Sequence, residues 1–523
     1  MKNYPLRGGE ALAKAVERAY REGGGDYTME PLCLVSDEGV PVGLVKPGDA
    51  VIFCCRRGER EIELTDAFTD PAFAGFSRPA LEPLDFVILT MYNEKYTYLP
   101  IAFAPSKVGE TLAETVSQAG KRQLHLAESE KFAHVTFFFN GGNQQPFPGE
   151  EDARIPSPKG VAFDTVPELS LAQVADRLCA GIDEGVDFIV TNFANGDVIG
   201  HTANDAAKLA CAEIVDGHLG RVLSRARQAG YTTLITADHG NLERARTETG
   251  KPDVAHTTNQ VACIAVTAGA AAPAAKGGAL RDVAPTVLAA MGLPQPGAMD
   301  GQPLFSFSGP PRKVLLLILD GWGIGRADDT NPIYLSSTPV WDDLLRTCPT
   351  VLIEASGSFV GLGEGKAGNS EAGHLNLGAG RVVPQDDVRL DAAMADGTFT
   401  QNPIFLQAAR NAKARGGALH LLALLTKKSS HGSIDYPLAL LDLAKAQGLD
   451  EVYVHIIFDG RSTEPGSAPA LLRELGATMA AKGIGQIVSG VGRGIALDRD
   501  QNWAKIQKTY DSLVSGAGRT YTE

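Results

Sequence analysis

No stretch of this chain approaches the ~20 consecutive apolar residues of a membrane span, and its first residues, Met1-Lys-Asn-Tyr-Pro-Leu-Arg-Gly-Gly, carry no apolar signal core. A membrane partner is therefore not expected, and the chain reads as cytoplasmic. Basic excess is also missing: 48 Lys and Arg stand against 62 Asp and Glu, a formal charge of −14, which disfavours nucleic-acid binding. The seven cysteines, including the adjacent Cys54-Cys55, show neither metal nor disulfide spacing, so reduced and mostly buried thiols are expected. There is no internal repeat. Low complexity is confined to 269–278, rich in Gly and Ala, which reads as a flexible surface loop.

What the chain does have is 44% hydrophobic residues over 523 positions, enough for two cores, arranged as strand-like runs alternating with amphipathic helical patterns. That alternation favours α/β layers with mostly parallel sheets. Ser170 is positioned to cap a helix whose Leu171, Val174, Ala175, Leu178 and Ile182 share one face, and a second helix is expected from about 204 to 229. Leu209, Ile214, Val215, Leu219 and Val222 of the second read as packing residues.

Three apolar runs end in acidic or imidazole side chains, the way an α/β sheet builds a site at its carboxyl edge. The run from Val314 leads to Asp320-Gly-Trp-Gly323, that from Thr232 to Asp238-His239-Gly-Asn241, and Phe188-Ile-Val190 to Asp197 and His201; His256 adds another imidazole. A lone Asp after a strand is usually a turn or cap residue, and a lone His is more often structural than a ligand. Here the bland explanation must be repeated for each. Carboxylates with imidazoles and no paired thiols suit Mn²⁺ or Zn²⁺, and argue against a pure Mg²⁺ or Ca²⁺ cage.

Gly368-Asn-Ser370-Glu-Ala-Gly-His374 is the second signal. In isolation it is an ordinary Gly-rich loop. Beside metal ligands, Ser370 becomes a candidate nucleophile presented on a tight turn with its Oγ exposed, because a metal can activate a serine that is inert alone.

Together with Glu-Lys131-Phe-Ala-His134-Val-Thr-Phe-Phe-Phe-Asn-Gly-Gly142 and Asn-Phe-Ala-Asn-Gly-Asp197-Val-Ile-Gly-His201, these motifs resemble the cofactor-independent (2,3-bisphosphoglycerate-independent) phosphoglycerate mutases of the alkaline phosphatase superfamily over almost the whole chain. The order differs. In that family the Asp-Gly-Trp-Gly strand precedes the Asp-His-Gly-Asn motif, whereas here Asp320 follows Asp238, so the resemblance implies a circular permutation, with the usual termini joined through the Pro/Gly-rich stretch 294–311, expected as a surface connection. An alkaline-phosphatase-like metal domain then spans 106–384, and a smaller α/β phosphotransferase domain is split between 1–105 and 385–523, with its helices at 9–21 and 501–515 as neighbours.

The resemblance implies 3-phosphoglycerate ⇌ 2-phosphoglycerate through a phosphoserine at Ser370, with a small phosphorylated acid as the substrate of a monomeric enzyme. It implies two Mn²⁺ ions, with Zn²⁺, Co²⁺ or Mg²⁺ as substitutes: Asp197, His201 and His256 for one, Asp320, Ser370, Asp238 and His239 for the other. Lys131 would neutralise the phosphoryl group, and His431 would contact substrate with Arg57, Arg60, Arg461, Ser462, Arg493 and Arg499, cations suited to phosphate and carboxylate. Taken singly, each Arg reads as a solvated surface residue.

Two departures stand out. The family's Ser-Asp-Gly-Gly-Val-His-Ser-His is replaced by Thr426-Lys-Lys-Ser-Ser-His431-Gly-Ser433, and the Asp that follows the Arg matching Arg461 is Ser462, a poor general base near neutral pH. Asp435, Asp459 or water would then move the proton. The alternatives are a metal-dependent phosphatase or phosphotransferase acting on another phosphorylated acid, and a metal-retaining phosphometabolite-binding protein with little turnover.

Overall fold

The computed structural model describes residues 5–56, 60–105, 107–427, 429 and 431–523. Among the described residues no helix is long and apolar enough to cross a membrane. The chain forms two compact α/β units: Ser106–Val388, and Met1–Pro105 with Arg389–Glu523.

The contiguous unit is built on an eight-stranded sheet in the order Gly278–Ala279, Thr350–Glu354, Val261–Val266, Thr232–Thr236, Val314–Leu319, Phe188–Phe193, Gln123–Glu128, Glu150–Ile155. The last five run parallel, and Val261–Val266 is antiparallel to both its neighbours. Val314–Leu319 is buried at every position, as expected of a parallel strand covered on both faces. Its register pairs Leu319 with Phe193 and Ile318 with Thr236, so Asp320, Ala194 and Ala237-Asp238 all emerge at one carboxyl edge. Gly321 makes the turn after this strand with φ of 70°, and a Cβ there would stand 2.7 Å from the Asp197 backbone nitrogen.

Helix Leu171–Asp183 buries Leu171, Val174, Ala175, Leu178 and Ile182, but Ser170 makes no side-chain cap. Its hydroxyl donates instead to the Pro156 carbonyl at 2.7 Å, a tertiary partner that wins over the local one. The next helix, Asp205–Gln228, is capped by Asn204 Oδ1, which accepts from the Ala207 N–H; Val215, Leu219 and Val222 are buried, while Leu209 and Ile214 are half-buried.

Both irregular stretches lie largely at the surface, as expected, but each contributes a short strand. Ala271–Pro273, inside the Gly/Ala-rich segment, pairs antiparallel with Phe305–Phe307, inside the 294–311 connection. Leu304, Phe305 and Met299 of that connection are buried, and Gln295 Nε2 donates to the Met299 and Gly301 carbonyls. Three apolar side chains anchor what the Pro/Gly content marks as loop.

The other unit also carries an eight-stranded sheet: Arg519–Tyr521, Leu32–Leu34, Gln486–Gly492, Val452–Phe458, Leu419–Leu425, Ala50–Phe53, Asp85–Thr90, Ile101–Phe103. Only the pairing of Leu32–Leu34 with Gln486–Gly492 is antiparallel. Strand alternation sends Ile52 and Cys54 into one core and Phe53 and Cys55 into another, on opposite faces of the sheet. Helix Gly9–Arg21 packs on Ala468–Lys482 in the first core, whereas Trp503–Val514 packs on Ile62–Thr69 in the second. The two helices expected as neighbours are therefore separated by the sheet. All seven cysteines are free thiols, five of them buried.

Candidate active site

At the carboxyl edge of the contiguous unit the strand ends gather Asp197, Asp238, His239 and Asp320, and two further segments bring His256 and Ser370. Ser370 is the first residue of helix Ser370–Ala379, which Asn369 caps through Oδ1 to the Ala372 N–H at 2.8 Å. It is not on an exposed turn. Only 6% of Ser370 is accessible, and its Oγ lies 2.6 Å from Lys131 Nζ, 2.9 Å from His239 Nε2 and 3.3 Å from Asp320 Oδ1. The helix start places partial positive charge beside that oxygen.

Lys131 is buried and also donates to Asp197 Oδ2 at 2.7 Å and to Asp320 Oδ1 at 2.9 Å. Burial alone would lower its pKa; the carboxylates of Asp320 and Asp197 reverse this and hold the ammonium above its ordinary value. One ammonium faces three buried carboxylates. Burial and the neighbouring Asp238 raise Asp320, while Asp238 is driven well down, its own burial outweighed by His239, His374 and Lys131.

The donor set fits divalent cations. His201 Nδ1 donates to the Val254 carbonyl at 2.7 Å and His256 Nδ1 to the Gly368 carbonyl at 2.8 Å, which leaves both Nε2 lone pairs facing inward. Those nitrogens stand 2.9 Å apart, and at 3.2 and 2.9 Å from Asp197 Oδ1. Three acceptors converging in this way need a cation among them. In the second group, Asp238 Oδ2 is buried without a hydrogen bond among the described residues, and His239 Nε2 lies 3.4 Å from it and 3.6 Å from Asp320 Oδ1. His239 is also 3.8 Å from Asp197 Oδ1, so it stands between the two groups rather than wholly within one. The Asp-and-His composition suits Mn²⁺ or Zn²⁺.

Three supporting residues escape a ligand-by-ligand reading of the sequence. Asn241 Nδ2 donates to Asp197 Oδ1 at 3.1 Å, and Asn192 Nδ2 to Asp320 Oδ2 at 2.6 Å and towards His374 Nε2 at 3.1 Å. The available signal for Asn192 was an amide near the end of a mostly apolar strand. Glu243, buried, accepts from the Asn241 and Gly323 N–H groups, Asn259 Nδ2 and the Thr257 hydroxyl, knitting the loops under the site.

The split unit places its candidate substrate residues after four adjacent parallel strands, Ala50–Phe53, Leu419–Leu425, Val452–Phe458 and Gln486–Gly492. Arg493 is buried and paired with Asp459 at 2.6 Å; Arg60 is buried, with Nη1 donating to the Leu497 carbonyl at 3.2 Å. Arg461, Ser462 and Arg499 are exposed, and the Ser462 N–H donates to Asp459 Oδ1 at 3.2 Å. Lys427, one of the added cations, pairs with Glu474 at 3.1 Å. Arg57 and Lys428 lie outside the described residues. His431 is half-buried, 3.6 Å from Glu61.

Residues 57–295 match the Metalloenzyme superfamily model, and residues 6–94 with 390–523 match the model for the N-terminus of BPG-independent phosphoglycerate mutases. The 2,3-bisphosphoglycerate-independent phosphoglycerate mutase of Wolinella succinogenes is 42% identical over 290 residues, 55% of this chain and 57% of the relative, and that of Desulforudis audaxviator is 43% identical over 294 residues, 56% and 57%. A solved structure of Leishmania mexicana phosphoglycerate mutase covers 52% of this chain and 53% of its own, at 26% identity and a TM-score of 0.40. The matched stretch thus spans little more than half the length of the curated relatives. Over these matched segments the chain is similar to the metalloenzyme superfamily and to the 2,3-bisphosphoglycerate-independent phosphoglycerate mutases.

Proposed function

We propose that this protein is an isomerase that interconverts 3-phosphoglycerate and 2-phosphoglycerate through a phosphoserine at Ser370, working as a cytoplasmic monomer. One observation carries the reading: Ser370 Oγ is enclosed by Lys131 Nζ, His239 Nε2 and Asp320 Oδ1 at the start of a helix, inside a donor set suited to two divalent ions. Asp197, His201 and His256 would hold one Mn²⁺; Asp320, Asp238, His239 and Ser370 would hold the other. When bound, such ions lower the charge on the phosphoryl oxygens and make serine a competent nucleophile.

The chain's own residues then divide the work. Ser370 Oγ attacks phosphorus as the bond to a glycerate oxygen breaks, and Asp320 Oδ1, 3.3 Å away, is within reach of the departing hydroxyl proton. Lys131 donates to the nucleophilic oxygen and neutralises charge on the transferring group. Buried surroundings keep water from competing. Arg60, Arg461, Arg493 and Arg499, with His431, Ser462 and Arg57, are the groups proposed to receive the acid.

A circular permutation is part of this proposal, on the ground that Asp320 follows Asp238 in the chain, the reverse of the order in the family it resembles. Re-opening the chain within 294–311 and joining its present ends should give a protein with the same metal content; failure to fold would count against it.

The test is conversion of 3-phosphoglycerate by Mn²⁺-loaded protein, with phosphate release followed in parallel and phosphoserine trapped by acid quench. Formation of 2-phosphoglycerate through labelled Ser370 is expected. Phosphate release without 2-phosphoglycerate would instead establish a phosphatase, the reading favoured by the missing carboxylate at Ser462.

A further inference from the structure

The split unit contains a buried carboxylate for which nothing above accounts. Glu61 stands at the N-cap of helix Ile62–Thr69, is 0% exposed, and has no hydrogen-bond partner among the described residues on either oxygen. Native folds rarely leave a buried charge in this condition. The nearest imidazole is His431, whose Nδ1 lies 3.6 Å from Glu61 Oε1 and is itself buried and without a hydrogen bond among the described residues. Two unsatisfied atoms of opposite character therefore face each other, and a slight approach gives each its missing bond.

The pair has a direction. Glu61 is enclosed, whereas the His431 side chain retains 15% exposure, and with Nδ1 turned to the carboxylate its Nε2 lies on the other side of the ring. A buried carboxylate behind Nδ1 fixes the imidazole's tautomer, leaves the lone pair on Nε2 and stabilises the imidazolium once a proton arrives there. The backbone of His431 is held as well, its carbonyl accepting from the Arg56 N–H at 2.9 Å.

Of the other carboxylates near these strand ends, Asp459 also has a buried oxygen, Oδ2, without a hydrogen bond among the described residues, but it is paired with a cation rather than facing an imidazole. Asp459 Oδ1 takes Arg493 Nη1 at 2.6 Å and the Ser462 N–H at 3.2 Å, and Asp435 is exposed, with Oδ2 accepting from the Ser433 hydroxyl at 2.9 Å. Burial raises Glu61, while His431 and then Arg493 act to lower it. Cys55 and Tyr92, the neutral groups near it, are pushed far up by burial, and Asp66 and Asp459 complete the charged surroundings.

Accepting the mutase reading, we propose that His431 is the acid–base residue for the substrate's hydroxyl oxygens, positioned by Glu61, in place of the carboxylate absent at Ser462. In the first half-reaction the P–O bond to one glycerate oxygen breaks and that oxygen takes the Nε2 proton of the imidazolium, while Ser370 Oγ bonds phosphorus and passes its hydroxyl proton to Asp320 Oδ1, 3.3 Å away. In the second, the other glycerate hydroxyl gives its proton to Nε2 as its oxygen bonds phosphorus, the P–O bond to Ser370 breaks, and Asp320 returns the proton to Ser370 Oγ. Proton and phosphoryl counts return to their starting values.

The test uses full-length Mn²⁺-loaded protein and two substrates: 3-phosphoglycerate, whose alkoxide must be protonated, and p-nitrophenyl phosphate, whose nitrophenolate leaves without a proton. Glu61→Gln and His431→Gln should each lower the ratio of mutase turnover to nitrophenyl phosphate cleavage by about 10²-fold, the scale of general acid–base catalysis. The double variant should be no worse than His431→Gln, because Glu61 acts through it. Metal content should stay the same, and the acidic limb of the mutase pH profile should move in Glu61→Gln. An unchanged ratio in either variant overturns the proposal, including the case where both activities fall together with the melting temperature and the pair is only structural. Wild-type protein that cleaves nitrophenyl phosphate but forms no 2-phosphoglycerate would overturn the mutase reading itself, an outcome visible before any variant is made.

Discussion

The two units solve the same problem with opposite chemistry. Each has an eight-stranded, largely parallel sheet with its candidate site at the carboxyl edge, but one gathers anions and the other gathers cations. Around Ser370, three buried carboxylates outnumber one buried ammonium, so the fold is complete only with added positive charge. In the split unit Arg493 is already neutralised by Asp459 and Lys427 by Glu474, and Glu61 is a carboxylate buried without a hydrogen bond among the described residues on either oxygen. A surplus of one sign marks where a ligand of the other sign belongs; an orphaned carboxylate facing an imidazole marks a proton's place.

Several substitutions would break or sharpen that contrast. The largest effect is expected from Ser370→Ala, which should remove phosphoserine and lower turnover by more than about 10³-fold while the fold and most of the metal content remain. Acid-quenched protein labelled to wild-type level would refute the assignment.

Lys131→Met comes next. Loss of one preorganised charge at the transferring group should cost roughly 10²–10³-fold in turnover. The same change leaves Asp197 and Asp320 without their ammonium, so metal-free protein should lose about 3–5 kcal/mol, recovered in part by Mn²⁺. Equal melting temperatures for metal-free wild type and variant would show that the carboxylates do not depend on Lys131.

Acid should act on the split unit through a buried chain: Asp49 Oδ2 lies 3.0 Å from His420 Nε2, His420 Nδ1 3.0 Å from His455 Nε2, and His455 Nδ1 2.7 Å from the Ser489 hydroxyl. Burial, then His420, hold His455 well below its usual range. Asp49 is lowered too: its burial opposes this, and His420 with the Ala418 N–H outweighs it. Both folded values lie below the unfolded ones, so the stabilisation is complete above about pH 6.5 for His455 and is lost as pH falls, at up to about 1.4 kcal/mol per pH unit; Asp49 adds to the loss below about pH 4. Calorimetry between pH 7 and 4 should show His455→Phe less acid-sensitive than wild type. Identical slopes would exclude His455 as the sensor.

The smallest expected change is Ser462→Asp. With His431 as the acid–base residue, a new carboxylate at this exposed position should alter the ratio of 2-phosphoglycerate to released phosphate by no more than a few-fold. A tenfold rise would mean that proton transfer is limiting at position 462.

Legibility in sequence followed how local each cause was. Asp320 and Asp238 were visible because an apolar run aims its last residue at the sheet edge whatever the rest of the chain does, and the buried face of Leu171–Asp183 because helical spacing is local. Ser170 misled because Pro156, not the helix, takes its hydroxyl. The 294–311 stretch was legible as a surface connection from its Gly and Pro, whereas the anchoring of Leu304 and Phe305 within it was not. Glu61 gave no signal, and His431 entered only as a substrate contact implied by resemblance; their pairing is between residues remote in sequence, joined by the adjacency of the Ala50–Phe53 and Leu419–Leu425 strands.

The bond from His256 Nδ1 to the Gly368 carbonyl reaches a residue two positions before Ser370. The imidazole that would grip a cation and the segment that presents the nucleophile are thereby mechanically one piece. Thermodynamic reciprocity follows: if loading the cation steadies that segment, then attaching a phosphoryl group to Ser370 must change cation affinity by the same factor. Occupancy at the His256 group is in this sense a readout of the covalent state of the serine.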